Sequence, residues 1–337
     1  RVARETLRLA LPPSRMAVGA GDVIDLPGDG AEGPGRYRID RVEQAGSLLI
    51  DAVRIEPEVY DPAPLDEELA ALRPFVPPLP VLPQFMDLPL LRGDEVPHAP
   101  HLAVTATPWP GSVAVYRSAV DSDYALNAIV ANRSIMGVTQ TPLHAARSGL
   151  IDAGPVLEVK LTSGSLQSVS REALLNGANL AAIGDGSADR WELFQFEEAQ
   201  LVAPMTYWLT GRLRGQAGSD GLMPEVWPAG ARFVLMNGTP QQLELSPHLR
   251  RVAQHYRIGP ARRPVDDSSY LHQVHAFDGN GLRPYSPCHL RAEAGASGDI
   301  TLSWIRRTRI DGDAWEGPEV PLGEESERYL LRVYEGN

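Results

Sequence analysis

The chain has 337 residues, 43% of them hydrophobic, and its 43 acids outnumber 31 lysines and arginines for a net charge of -12 and a pI near 5.2. That balance excludes a uniformly basic nucleic-acid footprint, and the length exceeds one ordinary domain, so two or three are expected. The 31 glycines and 30 prolines exceed the usual combined share of about 12%, which suits many short strands and turns better than helical bundles. No apolar run approaches the ~18 residues of a membrane-spanning helix. The lone cysteine, Cys288, allows no intramolecular disulfide, which fits folding in a reducing cytoplasm; a buried, inert thiol is the expectation for it.

Residues 1–60 read as β structure. Tyr37 and Ile39 alternate with Arg36, Arg38 and Asp40, and Val53 and Ile55 alternate with Arg54 and Glu56. A turn at Gln44-Ala45-Gly46 joins them as a hairpin. From Pro57 to Pro110 there are 13 prolines in 54 residues. Each fixes φ and removes a donor, so a stiff connector is expected over 61–100. One short helix fits inside it, with Leu65, Leu69 and Leu72 on one face and Pro74 as its stop.

Strands dominate again from 101 to about 250: Ala103–Ala106, Ser112–Tyr116, Val156–Leu161 and Arg232–Met236. Asn176-Gly177 and Asp185-Gly186 read as hairpin turns. The stretch Trp191-Glu-Leu-Phe-Gln-Phe196 places Trp191 and Leu193 on one face and Phe194 and Phe196 on the other, so this strand is expected to be buried on both sides. Pro204 breaks the run. In the next strand Tyr207, Leu209 and Leu213 alternate with Thr210, Arg212 and Arg214, which predicts one buried and one wet face. The basic stretch at 240–267 reads as a linker, and Tyr270–Phe277 as a strand. Candidate strands then follow at Pro284–Ala292, Ile300–Ile305 and Tyr329–Tyr334.

No constellation of reacting groups stands out. Gly28-Asp-Gly-Ala-Glu-Gly33 spells a dinucleotide fingerprint, but Pro34-Gly35 and a strand follow it where the mechanism needs a helix N-terminus. His272 and His275 would face one way on a helix but opposite ways on a strand, and no third ligand lies nearby in sequence. Asp311-Gly-Asp313 lacks the further ligands of a calcium loop, since Trp315 stands at one of them. The acidic pairs Glu197-Glu198, Asp266-Asp267 and Glu324-Glu325 read as solvated charge. Arg250-Arg251 and Arg306-Arg-Thr-Arg309 are expected to meet acids or neighbouring subunits. No catalytic, cofactor-binding or metal-binding residue is therefore assigned, no cofactor is expected, and the chain reads as a non-enzyme.

Trp191-Glu-Leu-Phe-Gln-Phe196, followed by Tyr207-Trp-Leu-Thr-Gly-Arg-Leu-Arg-Gly-Gln-Ala-Gly-Ser-Asp220, resembles the large tail-tip hub (host-specificity) proteins of siphophages and of gene transfer agents. Gly21-Asp-Val-Ile-Asp-Leu26, Tyr37-Arg-Ile-Asp-Arg-Val42, Leu174-Leu-Asn-Gly-Ala-Asn-Leu180 and Trp304-Ile-Arg-Arg-Thr-Arg-Ile-Asp-Gly-Asp313 fit the same family in the same order. The resemblance implies a mainly β, multi-domain fold: the end of a hub β-domain at 1–60, the connector at 61–100, a second β-rich hub domain of barrel or sandwich type at 101–260, and the first strands of an incomplete fibronectin type III-like sandwich at 265–337. The chain, which starts at Arg1, is then a piece of a longer polypeptide.

The family further implies a structural part of a tail tip or baseplate that closes or lines the tail channel and presents domains to the host envelope. Its partners would be its own copies in a homotrimer, the distal tail protein, the tail tube, the tape measure and a host glycan or protein receptor, with DNA only as transiting cargo. It would assemble in the bacterial cytoplasm and be released on particles. The competing expectation is a β-sandwich carbohydrate-binding module of a secreted protein, in which some of the 6 tryptophans and 10 tyrosines stack on sugars.

Overall fold

Antiparallel strands, most of them short, build almost everything, as suits the breaker-rich composition. The computed structural model describes residues 5–27, 35–56, 80–296, 298–312, 317 and 319–332. The chain divides into two units, Arg1–Phe75 and Val76–Asn337.

The first unit contains β1 (Thr6–Leu11), β2 (Val23–Leu26), β3 (Gly35–Gln44) and β4 (Leu48–Ile55), in one antiparallel sheet ordered β1-β4-β3-β2. Alternation decides its faces: Ile39, Ile50 and Ala52 are buried with Leu7, Leu9 and Ile24 packed against them. The opposite face carries exposed pairs such as Arg36–Asp25 at 3.1 Å and Arg8–Asp51 at 3.4 Å, which add little stability. The predicted hairpin is the β3–β4 turn, where Ala45 N–H donates to the Ser47 carbonyl at 3.0 Å. Gly28–Gly33 and the helix expected at Leu65–Leu72 lie outside the described residues.

The second unit begins with β5 (Leu82–Met86), β6 (His101–Thr105), β7 (Val113–Ser118), β8 (Ala125–Val130), β9 (Met136–Thr139), β10 (Leu143–His144), β11 (Ile151–Asp152) and β12 (Leu157–Leu161). A helix, α1 (Arg171–Leu175), leads to β13 (Leu180–Gly184), β14 (Trp191–Ala203), β15 (Thr206–Leu213), β16 (Val226–Trp227) and β17 (Arg232–Leu235). Then come β18 (Gln241–Gln242), β19 (Gln254–Pro260), β20 (Leu271–His275), β21 (Cys288–Ala294) and β22 (Ile300–Ile305).

Six of these strands, β15, β12, β9, β17, β13 and β14, pair in that order, and β14 pairs back to β15, so the sheet closes into an antiparallel barrel. Its interior holds Leu157, Val159, Ile183, Phe194, Phe196, Leu209 and Phe233. Closure leaves these strands no free edge among themselves, the usual hazard of exposed β structure. Beside the barrel, the sheet β18-β6-β5 and the sheet β20-β19-β7-β8 enclose a second core around Phe85, Val104, Val115, Tyr256 and Ile258. A third cluster joins barrel to sandwich: Trp191 and Leu193 of β14 and Val234 of β17 meet Met86 and Ala103. The prediction that Trp191–Phe196 is buried on both faces holds, and the two faces serve two different cores.

Four local expectations change. Asn176-Gly177 is not a hairpin turn but the C-terminal end of α1, whose Ser170 cap accepts the Ala173 N–H at 3.2 Å. Gly177 follows at φ +93°, a helix-ending conformation that glycine adopts without strain. The supposed linker at 240–267 contains β19, a central strand paired with both β7 and β20; its alternation of Tyr256 and Ile258 was obscured by the neighbouring arginines. Pro83 sits within β5, which pairs with β6 alone and so tolerates the missing donor. Tyr329–Arg332 forms no strand: it finds no ladder partner among the described residues, and Tyr329 instead packs edge-on against Trp304 at 4.9 Å. Val333 and Tyr334 lie outside the described residues.

Candidate functional site: the buried charges at the barrel end

Arg212 and Arg214 do not lie on a wet face. Both are fully buried, and with Asp152 and Glu192 they form an ionic cluster at one end of the barrel. The backbone explains the departure. Gly211 takes φ +62°, a left-handed conformation, and a Cβ there would press on the Glu197 side chain. Strict alternation fails at this residue, and Arg212 then pairs across the ladder with Phe196, whose ring is in the barrel core. Glu192 reaches the same side because it is two residues from Phe194 and opposite Ile183.

The cluster is closely hydrogen-bonded. Arg214 donates from Nε and Nη2 to the two Glu192 oxygens at 2.7 and 2.8 Å, a bidentate pair. Glu192 also accepts the Trp227 indole N–H at 2.7 Å and the Gly215 N–H at 3.2 Å. A further Arg214 donor goes to the His144 carbonyl at 2.6 Å. Arg212 donates to Asp152 at 3.0 Å and to the Leu209 carbonyl at 3.0 Å. Two cations and two anions cancel, and this neutrality is what permits the cluster inside a protein.

Burial opposes charge on Asp152, but the Arg212 hydrogen bond, the Gly154 N–H and the two guanidinium charges outweigh it and hold its carboxyl below the usual range. A depressed folded pKa contributes stability that is complete above the unfolded value and lost as pH falls through the folded one. The stability gap between wild type and Asp152→Asn, read by thermal unfolding, should therefore be widest above pH ~3.9 and close on acidification. A gap that does not change with pH would contradict this account.

The remaining motif residues are joints rather than reactants. Gln195 donates to the Leu174 and Ala178 carbonyls, both at 2.7 Å, and so closes the end of α1. Asn179 donates to the Gln167 and Phe196 carbonyls at 2.8 and 3.1 Å. Ser219 accepts the Leu193 N–H at 2.8 Å. Asp220 receives Arg307 at 2.8 and 3.0 Å, which ties residues 87 positions apart. Arg309 pairs with Glu324 at 2.8 Å and Arg306 with Glu327 at 3.0 Å; Arg251 meets Asp278 at 2.9 Å. The predicted basic clusters thus spend their described hydrogen bonds on acids and carbonyls, and Arg307 also lies over the Tyr285 ring.

The acidic pairs are likewise engaged: Glu197 with Arg171, Glu198 with Thr210, Asp267 with Ser269 and Glu324 with Arg309. His272 and His275 do face opposite ways on β20. His275 packs 4.4 Å from the Phe85 ring, while His272 lies against His255. Cys288 is half-buried at an irregular point of the β21–β22 hairpin rather than in a core, with Sγ 3.7 Å from the Ile305 carbonyl. Asp313 and Trp315 lie outside the described residues.

A groove of about 880 Å³ runs between the 90–95 loop and the outer barrel wall, lined by Glu95, His101, Gln195, Tyr285 and Arg309 among others. Two of its charged groups are engaged: Glu95 accepts the Arg92 and Gly93 N–H groups, and Arg309 holds Glu324. Burial lowers the pKa of the His101 imidazole, with the Glu95 charge opposing, and its Nδ1 has no partner among the described residues. No nucleophile stands beside a base there. Sequence reasoning missed both the groove and the ionic cluster. The cluster had one available signal: an acid, Glu192, inside a strand apolar on both faces requires a buried cation.

Two family models match this chain. Residues 134–234, which run from just before β9 almost to the end of β17 and so span the barrel, match the family described as "Rcc01698-like, C-terminal". Residues 1–42, in the first unit, match the family described as "Putative phage tail protein". No curated protein matches the chain, and among the described residues no helix is long and apolar enough to cross a membrane. These similarities are those of a phage tail-related protein.

Proposed function

We propose that this chain is a structural component of the tail-tip hub of a siphophage-like or gene-transfer-agent-like particle. In this role it closes or lines the tail channel, and its later segments face the host envelope. Copies of the chain associate about a three-fold axis, and the distal tail protein, tail tube and tape measure are its neighbours. DNA passes as cargo without being gripped. The role is mechanical, not catalytic.

The observation that carries this reading is the use made of the motif residues. Glu192, Gln195, Arg212, Arg214, Ser219 and Asp220 all close the barrel or fasten segments to it. The match of residues 1–42 to a phage tail family supports the same context. The carbohydrate-binding alternative needs aromatic faces on the surface. Trp191 and Trp227 are instead core residues, and the indole of the more exposed Trp208 is held to Glu158 at 2.8 Å.

Immunogold labelling of purified particles, with antibody raised against this chain, tests the proposal. Gold at the distal end of the tail is expected. Antigen absent from particles and found free or on cells would overturn the hub reading and favour the glycan-binding one. Light scattering on the purified chain should also give a three-fold mass, and a strictly monomeric species at all concentrations would remove the trimer.

A further inference from the structure

The loop after β7 and the strand pair β19–β20 bring together three groups that lie far apart in sequence. His255 of β19 and His272 of β20 occupy diagonal positions on one face, because His255 is opposite Val274 and Arg257 is opposite His272. Their rings stack 15° from parallel, and His255 Nδ1 lies 3.0 Å from His272 Nε2. Asp121 comes over them from the loop, its Oδ1 3.9 Å from His272 Nε2. One donor atom from each of the three lies within 4.8 Å of the others, on a face open to solvent.

We propose that Asp121, His255 and His272 form a binding site for a divalent transition metal of the zinc class, which clasps the 119–124 loop onto the β19–β20 pair. Zinc bonds of about 2.0–2.2 Å to nitrogen and oxygen in a tetrahedron place ligand atoms a little over 3 Å apart. The 3.0 and 3.9 Å separations bracket that value and the third lies within 4.8 Å, so side-chain rotations bring the three atoms to one ion. Two imidazoles and one carboxylate favour zinc, nickel, cobalt or copper over magnesium and calcium, which take oxygen ligands. The fourth position is left to water.

Two neighbours tune the site in opposite senses. Tyr124 donates its hydroxyl to Asp121 Oδ1 at 2.5 Å and fixes the carboxylate, as outer-shell partners do. Arg257 donates to the same oxygen at 3.1 Å, and its fixed positive charge repels a cation. Affinity is therefore moderate, and the guanidinium is its main brake.

Isothermal titration of Zn²⁺ into untagged, chelator-treated protein tests this, with Co²⁺ absorption as a second readout. One equivalent is expected to bind with a Kd on the order of micromolar and to raise the melting temperature, while Mg²⁺ and Ca²⁺ do neither. The double substitution His255→Ala/His272→Ala should weaken binding by more than the ~10–100-fold that a lost outer-shell partner costs. The exposed control His248→Ala should leave it unchanged. Unfolding curves without metal establish that each variant is folded. Arg257→Gln should tighten binding several-fold, which a hydrogen-bonded cluster with no metal role would not do. Absence of Zn²⁺ binding in the wild type, or equal binding in the double variant, overturns the proposal.

Discussion

Replacing Arg214 by methionine is expected to destabilise the second unit by about 3–5 kcal/mol, because Glu192 would remain charged in the interior without its cation. Glu192→Met should cost a comparable amount, since Arg214 would lose its bidentate partner and Trp227 and Gly215 a charged acceptor. The double variant Glu192→Met/Arg214→Met tests the cause. Two apolar side chains of similar length remove both charges together, so its cost should fall well short of the sum of the single costs, with a coupling of ~2–3 kcal/mol. Urea unfolding followed by far-UV circular dichroism measures all of them. Additive costs would mean that each side chain acts through packing alone, and the ionic account would fail.

The second large effect is expected at Trp191. Its indole is fully buried in the cluster shared by barrel and sandwich, and its N–H donates to the Ser187 carbonyl at 2.8 Å. Trp191→Ala should cost about 3–5 kcal/mol, as removal of a large buried ring leaves a cavity that the surrounding strands cannot close. Trp208→Ala gives the contrast within one barrel. That ring is 41% exposed, and its loss should cost under about 1 kcal/mol. A cost at Trp191 no greater than at Trp208 would show that the barrel–sandwich junction is not a shared core. If Trp191→Ala also separates unfolding into two transitions, the junction is what makes barrel and sandwich cooperative.

The proposed mechanical role draws support from where the buried charges go. In an active site, groups with displaced pKa values converge on an open cavity. Here Glu95 and His101 do line the groove, whereas Asp152, held below the usual range, is closed in by guanidinium groups and the Gly154 N–H. Asp87, whose pKa burial raises against the Asn280 and Gly279 N–H groups, sits beneath a turn. These are the positions of rivets, and they lie between segments distant in sequence.

Much of the β architecture was legible in the sequence because strand periodicity is local. The doubly apolar run at Trp191–Phe196, the turn at Asp185-Gly186 and the hairpin over Tyr37–Ile55 all follow from alternation and turn chemistry. Asn176-Gly177 suits a hairpin as well as a helix end, and α1 spans only five residues. Its end is held by Gln195 of β14, the second strand after it, which donates to the Leu174 carbonyl.

Local periodicity alone makes this a mainly β chain whose tryptophan-rich centre serves packing; the spacing of apolar residues every second position leaves no other way to bury them. The closure of the barrel and the fate of its polar side chains rest instead on contacts between strands distant in sequence. Alternation places Arg212 and Arg214 on a face but cannot say what covers it. Gly211 turns that face inward, and the partners that make burial tolerable, Asp152 and Glu192, come from other strands. The same holds for Asp121, His255 and His272, which only the pairing of β19 with β7 and β20 brings within reach of one ion.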